Sequence, residues 1–162
     1  MRTAYVQFHA SEPKRKTYNP YRWVWRMRVA VIDDDSSVCN ALRRLLVSAN
    51  VSTDVFGSGR EFLSAQPRRL DCIVLDLKMP GIGGIELLRI LNECQAKIPV
   101  IIISASDSVT ARTECEQLGA SAFLGKPFEE HALFSAIKAA IDGSAKPSAV
   151  AVAANGTDRR SV

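Results

Sequence analysis

No stretch of this 162-residue chain stays apolar over the 18 or more positions that a membrane-spanning helix needs. The N-terminus also lacks the apolar core of a secretory signal and is basic and aromatic instead. Cysteine is sparse and scattered. Cys39, Cys72, Cys94 and Cys115 form no C-x-x-C pair, which removes the usual dithiol and zinc patterns. Buried, reduced thiols of a cytoplasmic protein are the expectation that remains. Histidine is scarcer still: His9 falls in an irregular segment, and His131 has no metal or triad partner in view. The triplet Gly57-Ser58-Gly59 is far from a phosphate-cradling G-x-x-x-x-G-K pattern and reads as a turn.

Excess positive charge is missing from the middle of the chain, although the net charge is +4. Residues 1–28 carry seven lysines and arginines against one acid, and residues 143–162 carry three against one. Residues 29–142 carry 11 basic and 15 acidic residues, a net of −4. An acidic middle argues against a general nucleic-acid-binding surface there. With 47% hydrophobic residues the chain can bury the core of one domain.

The middle alternates regularly. RVAVI (28–32) reads as a strand, and SSVCNALRRLLVSAN (36–50) as a helix that Ser36 or Ser37 would cap. STDVF (52–56) is a short strand, and GSGREFLSA (57–65) is a turn passing into a short helix. DCIVLDL (71–77) is an apolar strand ending in an acid, followed by an amphipathic helix over 83–97. IPVIIISA (98–105) is the most apolar strand, and a helix over 107–119 is closed by Gly119. SAFLG (121–125) is a last strand, and a final helix runs over 127–143. Five strands alternating with five helices predict a parallel sheet covered on both faces, with ligands bound beyond the carboxyl ends of its strands.

The residues at those ends form a chemical set. Strand 1 delivers Asp33 and Asp34, strand 3 Asp76, strand 4 Ser104, and strand 5 leads to Lys126 and Pro127. Two carboxylates 4 Å apart near a surface repel by about 4 kcal/mol at an effective dielectric of 20. A cluster of hard oxygen ligands suits Mg²⁺, which would turn that repulsion into coordination. The ammonium and hydroxyl suit an anion with several oxygens, such as a phosphoryl group. A carboxylate can act as the nucleophile and form an acyl phosphate. Together the set fits the phosphorylation of an aspartate.

In VIDDD, DLKMPGIGG, IIISA and FLGKPF the sequence resembles the receiver domain of bacterial two-component response regulators, over about residues 28–142. The resemblance implies a flavodoxin-like, doubly wound (βα)5 fold with a five-stranded parallel sheet in the order 2-1-3-4-5. It implies that Asp76 is the phosphoacceptor. It implies Mg²⁺ held directly by Asp34, Asp76 and the backbone carbonyl of Lys78, and through water by Asp33. Lys126 would contact the phosphoryl group, and its bond to Pro127 would be cis. Ser104 would bond the phosphoryl group after transfer, and Phe123 would be the switch aromatic that turns inward as Ser104 moves. The implied partners are a sensor histidine kinase or phosphotransfer protein, and a downstream protein or second copy bound through helix 4, strand 5 and helix 5. Such a chain is a self-catalysed phosphoacceptor rather than a turnover enzyme. The resemblance also implies that Lys78 and Ser106 would occupy positions that flank the attacking water and tune acyl-phosphate lifetime. Three residues depart from the commonest pattern: Gly83 where an acid or small polar residue often stands, Ser104 for threonine, and Phe123 without a tyrosine hydroxyl.

Competing readings attach to the same residues. Asp33 and Asp34 alone could be helix caps; Asp76 and Lys126 in register argue for a site. Asp35 reads as a solvated first-turn residue. DDDSS partly resembles the D-x-D-x-T motif of haloacid-dehalogenase-type phosphatases, with Asp33 as nucleophile and Asp35 as acid, but Ser37 replaces the expected residue and no late acidic pair follows a strand. A degenerate receiver serving only as a binding module is opposed by the intact set. Residues 1–26 are expected to be disordered or an over-extended reading frame, because a receiver would naturally begin at Met27. The interleaved bases and aromatics of KRKTYNPYRWVWR would otherwise suit RNA or anionic lipid. Residues 144–162, rich in Ala and Ser, are expected to be a disordered tail, too short for a DNA-binding output domain.

Overall fold

Near-continuous apolar strands can be buried only if both faces of their sheet are covered, and that constraint sets the architecture. A computed structural model of the chain describes residues 27–106 and 108–143. Five strands, β1 (Arg28–Ile32), β2 (Ser52–Phe56), β3 (Cys72–Asp76), β4 (Val100–Ser104) and β5 (Ala122–Gly125), alternate with five helices. The helices are α1 (Ser36–Ser48), α2 (Gly59–Ala65), α3 (Gly84–Glu93), α4 (Val109–Gln117) and α5 (Glu130–Ile141). The strands pair in parallel in the order β2-β1-β3-β4-β5, as the flavodoxin-like reading expects. The expected extension over 1–26 and tail over 144–162 lie outside the described residues.

Period-two alternation divides the strands between two cores. Val29, Val31, Cys72, Val74, Ile101 and Ile103 face α1 and α5, where they meet Leu42, Leu46, Leu133 and Phe134. Ala30, Ile32, Ile73, Leu75, Val100 and Ile102 face the other way, toward Phe62, Leu87, Leu88 and Leu91 of α2 and α3. Every residue of β3 and β4 is buried, whereas β2, at the sheet edge, buries only Phe56. Each fully buried Ile, Leu or Val side chain contributes about 1.5–3 kcal/mol of transfer free energy, so the central strands carry most of the stability.

Helix boundaries differ from the sequence reading where a backbone or side chain intervenes. α1 is capped by Asp35, whose carboxylate accepts from the Ser37 amide at 2.8 Å, so neither Ser36 nor Ser37 is the cap. α3 stops at Glu93 because Gln95 takes a left-handed conformation, φ 52°. α5 starts at Glu130, since Glu129 is extended. α4 begins at Val109 under a Ser108 cap and is closed by Gly119 at φ 88°, as expected. Among the described residues no helix is long and apolar enough to cross a membrane.

From β1 the chain goes first to β2 on one side and then to β3 on the other. The loops after β1 and β3 therefore diverge and leave a crevice over the carboxyl ends of those strands. Gly84 closes one wall of it. A Cβ there would lie 2.3 Å from the Asp76 carbonyl oxygen and 2.7 Å from Leu77 Cα, so only glycine lets α3 start this close to β3. Gly84→Ala should destabilise the fold by at least about 2 kcal/mol in urea unfolding, because backbone must move to admit the methyl group. The exposed Gly81→Ala, strained only by its φ of 76°, should cost about 1 kcal/mol.

Candidate functional site

β1 ends where its last apolar residue, Ile32, hands over to Asp33. The Asp33 amide continues the β-ladder by donating to the Phe56 carbonyl at 3.1 Å, which carries the side chain into the interior at 1% exposure. Asp34, one residue on, faces solvent. Asp76 is the last residue of β3, buried at 6%. One carboxylate oxygen from each of Asp33, Asp34 and Asp76 lies within 4.8 Å of the others. The parallel register therefore brings together three acids that are up to 43 positions apart in the sequence.

Lys126 answers part of that negative charge. β5 pairs with β4 up to Gly125 opposite Ser104, and the next amide, that of Lys126, donates to the Ser104 carbonyl at 2.7 Å. This places the ammonium Nζ 2.7 Å from Asp33 Oδ2 and 2.8 Å from Asp76 Oδ1. The remaining oxygens are also engaged: the Asp35 amide donates to Asp33 Oδ1 at 2.9 Å and the Lys78 amide to Asp76 Oδ2 at 2.7 Å. Burial pulls the Lys126 pKa down, but hydrogen bonds and charge from Asp33 and Asp76 outweigh it and hold the ammonium above its ordinary value. The lysine bridges two nearly buried carboxylates and stays charged throughout the neutral range. The Lys126–Pro127 peptide bond is cis.

Ser104 and Phe123 stand apart from this contact. The Ser104 hydroxyl is buried and turned to its own loop, donating to the Ser106 carbonyl and accepting from the Ser106 amide, each at 3.1 Å. Phe123 lies on β5, opposite Ile102, and belongs to the core beneath α3 and α4. Its ring is already inward, at 6% exposure. Asp35, the acid of the phosphatase-like alternative, is spent on capping α1. Two features escaped the sequence reading. The close approach at Gly84 was visible only as a glycine in a glycine-rich loop. The Arg112 guanidinium, 4.5 Å from the centroid of the Phe123 ring, left no sequence signal.

The donor set suits a hard dication. Three carboxylates converge, one of them open to solvent, and a single ammonium cannot neutralise all three. Asp33, Asp34 and Asp76 could hold such an ion, with Lys126 left to face an anion beside it.

Comparison with known proteins bears on the family of the chain. The family model described as the response regulator receiver domain matches residues 29–138. The transcriptional regulatory protein FixJ of Azorhizobium caulinodans is 40% identical over 119 residues, which cover 73% of this chain and 56% of FixJ. FixJ of Bradyrhizobium diazoefficiens is 39% identical over 127 residues, covering 76% of this chain and 62% of the relative. The chain thus spans little more than half the length of these relatives. The receiver domain of the Francisella response regulator 1452 is 30% identical with a TM-score of 0.68, covering 73% of this chain and 98% of that one.

Removing the ammonium leaves two buried carboxylates facing each other. Lys126→Met should therefore destabilise the metal-free protein by about 2–4 kcal/mol in urea unfolding at pH 7. The lysine's contribution is present in full below the unfolded-state value of about 10.4 and fades as pH climbs through the higher folded value. The gap between wild type and Lys126→Met should therefore narrow only in strongly alkaline solution.

Proposed function

The chain belongs to the response regulator receiver family, and we propose that it is a phosphorylation-controlled switch whose phosphoacceptor is Asp76. The observation that carries this reading is the Lys126 ammonium, 2.7 and 2.8 Å from Asp33 and Asp76, inside a cluster of three carboxylates. An ammonium and a dication site flanking one buried carboxylate are what an incoming phosphoryl group needs, because phosphoryl transfer depends on positioning and charge neutralisation.

An Asp76 carboxylate oxygen attacks phosphorus. An O–P bond forms as the bond to the donor breaks, and the electron pair leaves with the donor: an imidazole nitrogen of a kinase phosphohistidine, or the carboxylate of a small acyl phosphate. Lys126 keeps its charge and turns from the Asp76 oxygen to the phosphoryl oxygens. Ser104 exchanges its bonds to Ser106 for one donated to a phosphoryl oxygen, which pulls the end of β4 toward Asp76. Asp34, Asp76 and the Lys78 carbonyl would hold Mg²⁺ directly and Asp33 through water, and the ion would supply the remaining neutralisation of phosphoryl charge. The chain undergoes one transfer per molecule rather than turnover. The donor partner is a sensor histidine kinase or phosphotransfer protein. The surface of α4, β5 and α5 is the part read by a downstream protein or a second copy.

Intact mass after incubation with acetyl phosphate and Mg²⁺ tests the assignment. Wild type should gain a single phosphoryl group, Asp76→Asn none, and chelation of the metal should abolish the gain. A gain that survives Asp76→Asn and disappears in Asp33→Asn would overturn it in favour of Asp33 as nucleophile.

A further inference from the structure

The turn that follows β2 touches both sides of the carboxylate crevice. On one side the Phe56 carbonyl accepts from the Asp33 amide at 3.1 Å, so the end of β2 holds the backbone of the first acid. On the other side Gly59, the first residue of α2, is buried against Ile82 in the loop that runs from Asp76 to α3. A Cβ at Gly59 would lie 2.9 Å from the Ile82 carbonyl oxygen and 3.0 Å from Ile82 Cγ2. Contact this close is open only to glycine and leaves no slack between α2 and the loop. The turn itself is firmly held. Ser58 Oγ accepts from the Glu61 amide at 3.1 Å, and the Glu61 carboxylate accepts from the Gly57 amide at 2.7 Å. The Phe56 and Phe62 rings meet edge to face at 5.3 Å. The loop opposite has fewer supports. A Cβ at Gly81 would meet nothing within 4 Å, so that part of the loop is open to solvent. Apart from the junction at Gly84, the loop's fixed points are Met79, buried in the core that α2 and α3 cover, and Ile82 on Gly59.

We propose that the Gly57–Gly59 turn is a strut that positions the metal-binding loop. By standing against Ile82 it sets how far Asp76 and the Lys78 carbonyl lie from Asp33 and Asp34. Gly59 and Ile82 are positioning residues for a divalent cation, although neither belongs to its ligand set. The inference rests on the reading of the carboxylate cluster as a Mg²⁺ site and extends it to an element that offers no ligand.

Mg²⁺ binding to the full chain is measured by titration calorimetry, and phosphorylation by acetyl phosphate is followed by intact mass across a range of Mg²⁺ concentrations. Gly59→Ala should weaken Mg²⁺ about tenfold, as changes behind a metal ligand do. The Mg²⁺ concentration giving half-maximal phosphorylation should rise by the same factor, while the rate at saturating Mg²⁺ stays close to that of wild type. Ile82→Ala slackens the contact without adding bulk, should weaken Mg²⁺ about threefold, and carries the test if Gly59→Ala does not fold. The double variant should bind Mg²⁺ more tightly than Gly59→Ala alone, because the new methyl group takes the space of the lost Ile82 Cγ2. Val51→Ala, which opens a gap in the core at the opposite edge of the sheet, should lower the melting temperature and leave Mg²⁺ affinity unchanged. Wild-type affinity in both Gly59→Ala and Ile82→Ala, or an equal loss in Val51→Ala, would overturn this inference alone. Failure of the wild type to bind Mg²⁺ would overturn it together with the reading of the cluster.

Discussion

The contact on which the site depends is one ammonium shared by two nearly buried carboxylates. Asp33 and Asp76 end adjacent parallel strands, so their side chains project from the same edge of the sheet. Left alone they would repel strongly, and burial would worsen the repulsion by removing solvent screening. Lys126 reverses the sign of that interaction by reaching both at once. The cost is that the lysine, drawn from the end of β5, must be held across β4 to reach β1 and β3. The amide of Lys126 bonded to the Ser104 carbonyl is the anchor that does so.

The remaining architecture is arranged around that reach. Parallel pairing puts every strand's carboxyl end on one edge, and the reversal of strand order beside β1 opens the crevice. Two apolar cores, one on each face, hold β1, β3 and β4 rigid beneath the charges. Gly84 lets α3 close against β3 with no side chain between them. The chemistry therefore rests on the most deeply buried part of the sheet.

How much of this was legible in the sequence depended on the range of the interaction. The strands were legible because buried parallel strands are written as short, continuous apolar runs, and VIIIS could be little else. Asp33, Asp34, Asp76, Ser104 and Lys126 were legible as a set because each stands at a strand end. Their pairing was not: the sequence suggested Lys126 for an incoming anion, and the structure shows that it first holds Asp33 and Asp76. Helix ends were less legible because they are settled by competition between neighbours. Asp35 outcompetes Ser36 and Ser37 as the cap of α1 because its carboxylate reaches the Ser37 amide, a local choice that three adjacent candidates hide. Phe123 reads as core or as switch from sequence, and its cover by Arg112, eleven residues away on a different element, follows no period at all.

The central claim is that the carboxylate cluster remains over-charged after Lys126 has done its part, so that a hard dication completes it. The melting temperature measured against Mg²⁺ concentration, at constant ionic strength, tests this directly. Wild type should gain stability with each increment of Mg²⁺ as a ligand bound by the folded state does, and Asp34→Asn, which removes the solvent-facing carboxylate, should respond far more weakly. A wild-type melting temperature that is the same in Mg²⁺ and in chelator, or an Asp34→Asn response equal to that of wild type, would contradict the account.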